Sequence, residues 1–142
     1  MNTDELQAAL CRLPHGPEFR FVDRLVSLVP GQEGVGEYRL RGDEPFLRGH
    51  FPGEPMMPGV LLAEAAAQLA GVVAQSDPAS APRSGLKLTA LRHAKILGSA
   101  RPGETIRLEA RVTGRLGKLI QAQATASVNG QTVLRVELVL SG

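Results

Sequence analysis

The sequence predicts an α+β fold in which a curved antiparallel β-sheet wraps around a long central α-helix. One long apolar helix is expected at residues 58–75, between an early pair of strands and a C-terminal series of alternating strands. A helix with apolar residues on every face has to be buried. A sheet with one apolar face is the natural surface to cover it, which leads to this fold class.

The composition is that of an ordinary globular protein. The chain has 142 residues, of which 43% are hydrophobic and 21% are charged, enough for a single domain over residues 1–142 with a real core. Its one cysteine, Cys11, rules out an internal disulfide and suits a reducing cytoplasm. Neither a signal peptide nor an apolar stretch of membrane length is visible, so we expect no membrane partner.

The first 41 residues predict a short helix and a hairpin. Asn2 followed by Glu5 is a typical helix start, and this helix is expected to end before Pro14. Residues 19–28 are predicted as the first strand, which stops at Pro30-Gly31, and residues 35–41 as the second.

Three or four more strands are expected after the helix. Residues 76–85 are a Pro/Ser-rich surface connection, and residues 86–97 are predicted to form the least regular strand. Residues 106–113, 120–128 and 134–140 alternate apolar and polar side chains, as half-buried antiparallel strands do. Between the last two, Asn129-Gly130 predicts a type I′ hairpin turn.

Residues 49–68, GHFPGEPMMPGVLLAEAAAQ, join a stiff Pro/Gly loop to the apolar helix and hold the candidate catalytic groups. His50 begins the loop, and a histidine titrates near neutral pH and can act as a general base. Glu64 and Gln68 lie four residues apart and share one helix face. A buried carboxylate needs a partner or a raised pKa, and Gln68 is well placed to orient Glu64 by a hydrogen bond.

The start of the helix offers hydrogen-bond donors to the same site. Pro58 has no N–H, which leaves the backbone amides of Gly59 and Val60 free to bind a developing oxyanion. Gly59 also allows a ligand to approach the backbone closely. Base, acid and oxyanion donors are therefore encoded in one short segment.

Simpler interpretations exist for these residues. His50 could only fix the loop, and Glu64 with Gln68 could form one exposed edge of the helix. A structural role is expected for His15, because no carboxylate-bearing helix follows it at useful spacing. The three histidines, His15, His50 and His93, lack metal-ligand spacing, so no metal is expected.

Together with LPHGPEFRFVDR upstream, the segment closely resembles the β-hydroxyacyl-acyl-carrier-protein dehydratases of type II fatty acid synthesis, of the FabZ kind, whose pattern is GHFPxxPxMPGVLxxEAxAQ. The resemblance implies a hot dog fold and dehydration of (3R)-3-hydroxyacyl thioesters to trans-2-enoyl thioesters. It implies no cofactor beyond the phosphopantetheine arm that carries the substrate. It also implies a homodimer, frequently assembled as a trimer of dimers, in which His50 of one subunit meets Glu64 of its neighbour.

Some positions separate this chain from related groups. The sister dehydratase/isomerase group typically has Asp and Cys where this chain has Glu64 and Val60, which favours simple dehydration. Residues 16–18, Gly-Pro-Glu, replace an aromatic-rich family element, and residues 97–101 belong to a run with fewer basic residues than the family pattern.

The charge is unevenly distributed along the chain. Residues 83–118 contain nine Lys or Arg residues and two acids, although the formal net charge of the chain is only +2. An acidic acyl carrier protein fits this surface, with Arg92, Lys95 and Arg101 as the preferred contacts. Nucleic acid is disfavoured because interleaved aromatics are lacking. Alternatively, Arg107, Arg111 and Arg115 merely solvate the outer face of a strand.

Two other functions stay open at this stage. A thioesterase on the same fold would use Glu64 to activate water or as a nucleophile. A non-catalytic acyl-thioester binding or regulatory protein would need neither His50 nor Glu64, so the presence of both argues against it. Acyl chain length, carrier protein versus coenzyme A, and a housekeeping versus a polyketide or polyene pathway are not encoded in any spacing.

Overall fold

The computed structural model describes residues 1–142 as one six-stranded antiparallel sheet and one long helix. The strands are β1 (Arg24–Val29), β2 (Glu33–Arg39), β3 (Lys87–Ile96), β4 (Thr105–Leu116), β5 (Leu119–Val128) and β6 (Gln131–Ser141). Their order across the sheet is β1-β2-β4-β5-β6-β3, and all neighbours are antiparallel. Strands β1 and β3 therefore form the two edges.

The helices are α1 (Thr3–Leu10) and α2 (Gly59–Gln75), and single 3-10 turns lie at Pro17–Phe19 and Pro45–Leu47. Helix α1 begins as predicted, because the side chain of Asn2 accepts a hydrogen bond from the Glu5 N–H at 2.8 Å. None of the helices combines the length and the apolar character that crossing a bilayer requires.

Helix α2 lies across the sheet and packs against β4, with further contacts to β2, β5 and β6. Six of the eleven buried residues of α2 are alanines, whose small side chains let the helix come close to its neighbours. A Cβ atom on Gly34 of β2 would lie 2.9 Å from a methyl group of Val73, so only glycine fits under the helix there. The leucines Leu62 and Leu69 are fully buried, and each contributes about 1.5–3 kcal/mol. The predicted sheet around a central helix is confirmed.

The hairpin between β5 and β6 has the predicted turn. Asn129 and Gly130 have φ angles of 52° and 80°, and Val128 pairs with Gln131 across them. Two consecutive residues with positive φ define a type I′ turn, whose twist matches that of the flanking strands.

The first strand begins later than predicted, at Arg24 and not at residue 19. The backbone of Phe19 and Phe21 is bound by the side chain of Gln68 on α2, so these residues have no strand partner. A second expectation also needs correction: α2 is not buried on every face, because Val60 is 72% exposed and Gly71 and Gln75 are half-buried.

Candidate active site

The carboxyl group of Glu64 is held by the side chain of Gln68 one helical turn later. Nε2 of Gln68 donates to Oε2 of Glu64 at 3.0 Å, as the spacing predicts. Gln68 is 2% exposed, whereas the side chain of Glu64 keeps 22% of its exposure. The carboxyl group is therefore anchored on its protein side and open on the other.

Two backbone groups fix the orientation of the Gln68 amide. The N–H of Phe21 donates to Oε1 at 2.8 Å, and Nε2 donates to the carbonyl of Phe19 at 2.9 Å. An N–H can only donate and a carbonyl can only accept, so the amide cannot be flipped. The second proton on Nε2 must then point at Glu64, and Oε2 of Glu64 must be an acceptor.

His15 also reaches this carboxyl group. Its Nε2 lies 3.5 Å from Oε2 of Glu64, and its ring stacks beside Phe19 with centroids 6.3 Å apart. Sequence spacing did not indicate this contact, because α2 lies far along the chain from the loop that holds His15. The sequence signal that existed was the histidine itself, within the LPH element.

Glu64, Gln68 and His15 line one end of a groove of about 620 Å³. Along α2 the groove continues past Gly71 to Gln75, and its other wall contains apolar residues of β3 and β6, including Leu88 and Leu140. A partly apolar groove of this volume has the dimensions of a small-molecule site.

His50 lies in the loop before α2, with one ring nitrogen engaged. Its Nδ1 is 2.9 Å from the carbonyl oxygen of Met56, which can only accept, so Nδ1 carries the proton. Nε2 is then left with a lone pair and can accept a proton. Within one chain, no hydrogen bond or ion pair joins His50 to Glu64, and His50 does not line the groove.

The first amides of α2 are available as predicted. The N–H groups of Gly59 and Val60 donate to no group in the chain, and the helix has no side-chain cap. A ligand was expected to approach the backbone at Gly59, but the side chain of Ile96 on β3 packs against that position. A Cβ atom at Gly59 would lie 2.5 Å from Cδ1 of Ile96.

Apolar side chains are exposed around the His50 loop, the start of α2 and strand β3. Ile96 packs against Gly59, the residue before Val60, and the side chains of Val60 and Ile96 are 72% and 55% exposed. We call the set the apolar rim; it consists of Phe51, Val60, Leu91, Ile96 and Leu97. So much exposed apolar surface at one edge is typical of an interaction site.

Glu44, which no sequence pattern indicated, anchors the start of the segment leading to His50. Glu44 is 6% exposed and accepts hydrogen bonds from the Tyr38 hydroxyl at 2.7 Å and the N–H groups of Arg41 and Gly42 at 3.0 and 2.8 Å. Burial alone would raise the pKa of Glu44, but these hydrogen bonds outweigh it and lower the pKa. Burial and the Glu44 contact raise the pKa of Tyr38. No spacing signal identifies such an anchor.

The basic residues divide into two groups. Arg107 pairs with Glu109 at 3.3 Å, Arg111 donates to Gln123, and Arg115 binds Asp77 and the Ala74 carbonyl at the end of α2. The three carrier-protein candidates are Arg92 and Lys95, both exposed on edge strand β3, and Arg101. Arg101 lies 3.8 Å from Glu54 of the His50 loop.

A second groove, of about 590 Å³, crosses the outer face of the sheet and contains none of the predicted catalytic residues. Its charged side chains have mixed signs, among them Glu33, Glu109, Arg111 and Arg135. The chain has no group of three or more His, Cys, Asp or Glu side chains arranged to hold a metal ion.

Solved structures with this architecture include one dehydratase heterocomplex and one member of a thioesterase superfamily. A dehydratase heterocomplex, ApeI:P from Xenorhabdus doucetiae, superposes with a TM-score of 0.79 at 17% identity, over 93% of this chain and 89% of that one. Zebra fish thioesterase superfamily member 2 superposes with a TM-score of 0.74 at 15% identity, over 100% and 99% of the two chains. At these identities the likeness shows the fold, and the predicted hot dog fold is confirmed.

Relatives identified by sequence have a higher percentage identity to this chain than these solved structures have. A protein of Chloroflexus aggregans named 3-hydroxyacyl-(acyl-carrier-protein) dehydratase FabZ is 38% identical over 136 residues, 96% of this chain and 94% of the relative. A protein of the same name from Clostridioides difficile is 33% identical over 141 residues, 99% and 96% of the two chains. The FabA-like domain family matches residues 13–137. The chain therefore belongs to the FabA-like family, among relatives of the FabZ kind, as its sequence predicts.

Proposed function

We propose that the chain removes water from (3R)-3-hydroxyacyl thioesters on acyl carrier protein and forms trans-2-enoyl thioesters, as a hydro-lyase of fatty acid biosynthesis. The observation that carries this proposal is the Glu64 carboxyl group, fixed by Gln68 at the end of a groove that suits an acyl chain. The names of the relatives supply the substrate class.

The mechanism uses three groups of this chain, and each of them compensates a different charge that develops during the reaction. Nε2 of His50 takes a proton from C2 of the substrate, and the N–H of Gly59, with Val60 beside it, stabilises the enolate charge on the thioester oxygen. The C3–O bond breaks, and Glu64 gives its proton to the departing hydroxyl, which leaves as water. The cycle closes when His50 releases its proton to solvent and Glu64 takes one up.

The expected contributions are large enough for each residue to be tested alone. General acid or base help is worth about 10²–10⁴ in rate, and one oxyanion donor about 10²–10³. His50→Ala and Glu64→Gln should therefore each nearly abolish turnover. Neither side chain holds the fold together, because His50 lies in a surface loop and Glu64 keeps part of its exposure.

A homodimer with sites shared between subunits is part of the proposal. His50 and Glu64 do not meet within one chain, so a second copy has to supply the missing half of each site. The apolar rim includes Phe51, next to His50 in the chain, and Leu91 and Ile96 of edge strand β3, whose backbone groups are open to a further strand. Assembly of three such dimers into a hexamer is the family's frequent arrangement, and we propose it as the next level.

The carrier protein is proposed to dock beside the His50 loop. Arg101 lies there: its backbone N–H donates to Glu104 at 2.7 Å, and its guanidinium has only a long ion pair with Glu54, at 3.8 Å. Arg92 and Lys95 lie on edge strand β3, so in a dimer joined through β3 they would border the seam. The substrate comes on the phosphopantetheine arm of the carrier, and no other cofactor is proposed. A cytoplasmic location is proposed because Cys11, the single cysteine, is a free thiol.

The first experiment follows hydration of 2-enoyl thioesters, the reverse reaction, by loss of the enoyl absorbance. Crotonyl and longer enoyl groups are offered on carrier protein and on coenzyme A, to wild type, His50→Ala and Glu64→Gln. Loss of absorbance with wild type, but with neither His50→Ala nor Glu64→Gln, supports the proposal. Release of free thiol without an enoyl change would identify a thioesterase, and bound but unchanged thioester would identify a binding protein.

Sharing of sites between subunits is tested by mixing the two inactive variants. In a mixed dimer, one site combines both substitutions and the other has an intact His50 and an intact Glu64. After random exchange, about a quarter of wild-type activity should return, because half of the dimers are mixed and each has one good site. If activity stays at zero although exchange is demonstrated, the two residues act within one chain.

A further inference from the structure

His15 has an unusual environment for a residue with no part in the proposed reaction. Its side chain is 28% exposed and lines the same groove as Glu64, yet Nδ1 is buried and has no hydrogen-bond partner. A buried polar atom without a partner costs free energy, so a function for the ring has to be sought at its other nitrogen. That nitrogen, Nε2, faces Glu64.

The unpartnered Nδ1 indicates which tautomer suits this site. A proton on Nδ1 would be a buried donor with no acceptor, whereas a bare Nδ1 is only a weakly solvated lone pair. With the proton on Nε2, the ring instead presents a donor to the carboxyl group of Glu64. The tautomer is opposite to that of His50, where the Met56 carbonyl requires a proton on Nδ1.

Gln68 and His15 converge on one oxygen of the carboxyl group. Both Nε2 of Gln68, at 3.0 Å, and Nε2 of His15, at 3.5 Å, approach Oε2 of Glu64, and Oε1 has no partner in the chain. The contact from His15 is long in the free protein, as catalytic hydrogen bonds often are before substrate binds. Once the His15 contact shortens to a hydrogen bond, Oε2 accepts from two donors and cannot carry the acid proton, which then lies on Oε1.

We propose that His15, as its Nε2–H tautomer, is a positioning residue that acts with Gln68 to keep Oε2 of Glu64 unprotonated and Oε1 facing the substrate. This proposal rests on the proposed dehydratase function. When Oε1 gives its proton to the leaving hydroxyl, the carboxyl group becomes a carboxylate, and both donors then bind a full negative charge. Hydrogen bonds to charged groups are the stronger ones, so His15 favours the transition state more than the ground state.

The kinetic test compares His15→Gln with His15→Asn. The amide nitrogen of glutamine can take the place of Nε2 and donate to Oε2, whereas asparagine is too short to reach it. His15→Asn should lower kcat by about ten- to a hundredfold with little change in KM, the loss of one hydrogen bond to a charged group. His15→Gln should restore most of kcat. A raised KM with unchanged kcat, or equal losses in the two variants, would overturn the proposal.

The second test is independent of turnover. Nitrogen NMR of ¹⁵N-histidine-labelled wild-type protein distinguishes the two tautomers of each ring, and the signals that vanish in His15→Gln identify His15. A neutral ring protonated at Nε2 in His15 supports the proposal, and one protonated at Nδ1 overturns it. This spectrum needs no substrate, so it tests the tautomer of His15 even if wild type fails to turn over any thioester. Such a failure would refute the proposed function and would leave the result for the tautomer unchanged.

Discussion

The side chain of Gln68 binds two backbone groups of the segment that precedes β1, the N–H of Phe21 at 2.8 Å and the carbonyl of Phe19 at 2.9 Å. The same amide donates to Glu64. One residue of α2 thus replaces the strand partner that these residues lack and sets the direction of the carboxyl group. Stability and activity are linked at this position.

Replacement of Gln68 by leucine is expected to damage both properties. The buried N–H of Phe21 would lose its only acceptor, which costs about 1–3 kcal/mol, and Glu64 would lose its fixed donor. Urea unfolding and thioester turnover measure the two losses. The matched control is Gln123→Leu on the exposed outer face of the sheet, which should change stability by less than about 0.5 kcal/mol. Equal stabilities for the two variants would contradict the assigned role.

This position also shows how far the sequence could predict the site. The pairing of Glu64 with Gln68 follows from helix periodicity, because neighbours four residues apart share a face wherever the helix lies. The role of Gln68 toward Phe19 and Phe21 could not be predicted, since it depends on where the chain packs against α2. The apolar periodicity of residues 19–28 therefore predicted a strand that begins too early.

The same limit explains the contacts of His15 and Glu44. Each depends on tertiary packing between segments, and a lone histidine or glutamate in a sequence looks the same whether it is solvated or buried. The turn at Asn129-Gly130 was predictable because its geometry is set by two adjacent residues. The architecture was predictable because one long apolar helix and alternating strands have few ways to bury their apolar faces.

Glu44→Gln should destabilise the protein at neutral pH by about 1–3 kcal/mol, because a buried carboxylate with three donors is replaced by an amide that cannot accept from all of them. The pKa of Glu44 is lowered in the folded state. The ionised carboxylate of Glu44 therefore stabilises the folded state fully above the ordinary glutamate pKa of 4.5, and this stabilisation is lost as the pH falls through the lowered pKa.

Denaturant unfolding at a series of pH values checks this prediction. The difference in free energy of unfolding between wild type and Glu44→Gln should shrink as the solution becomes more acidic than the ordinary glutamate pKa. A difference that stays constant through the acid range would mean that the charge of Glu44 is not what stabilises the turn before the His50 loop.

Gly59→Ala should reduce kcat/KM by up to about a hundredfold, because the new Cβ would lie 2.5 Å from Ile96 and push the start of α2 out of place. The double variant Gly59→Ala with Ile96→Ala removes the obstructing side chain and should recover much of the loss. Ile96→Ala alone is the control. No recovery in the double variant would show that the methyl group acts on the substrate directly and not through Ile96.

Gly71 should control the length of acyl chain that the groove accepts. It lies seven residues after Glu64, about 10 Å along the helix axis, and a Cβ atom there would meet nothing within 4 Å. An extended chain advances roughly 1.2 Å per bond, judged from the span of the backbone, so about eight bonds separate C3, which lies at Glu64, from Gly71, and an acyl chain of about eleven carbons would reach Gly71.

Gly71→Leu should therefore spare crotonyl thioester and reduce turnover of enoyl thioesters longer than about eleven carbons by tenfold or more, since the leucine occupies the space that the longer chain needs. Gly71→Ala is the matched control: it adds one methyl group, should stabilise α2 by about 0.5–1 kcal/mol because glycine is a poor helix former, and should leave the length preference almost unchanged. Ratios of kcat/KM for short and long thioesters measure the effect. If Gly71→Leu lowers turnover of both lengths equally, or of neither, the acyl chain does not follow α2 past Gly71.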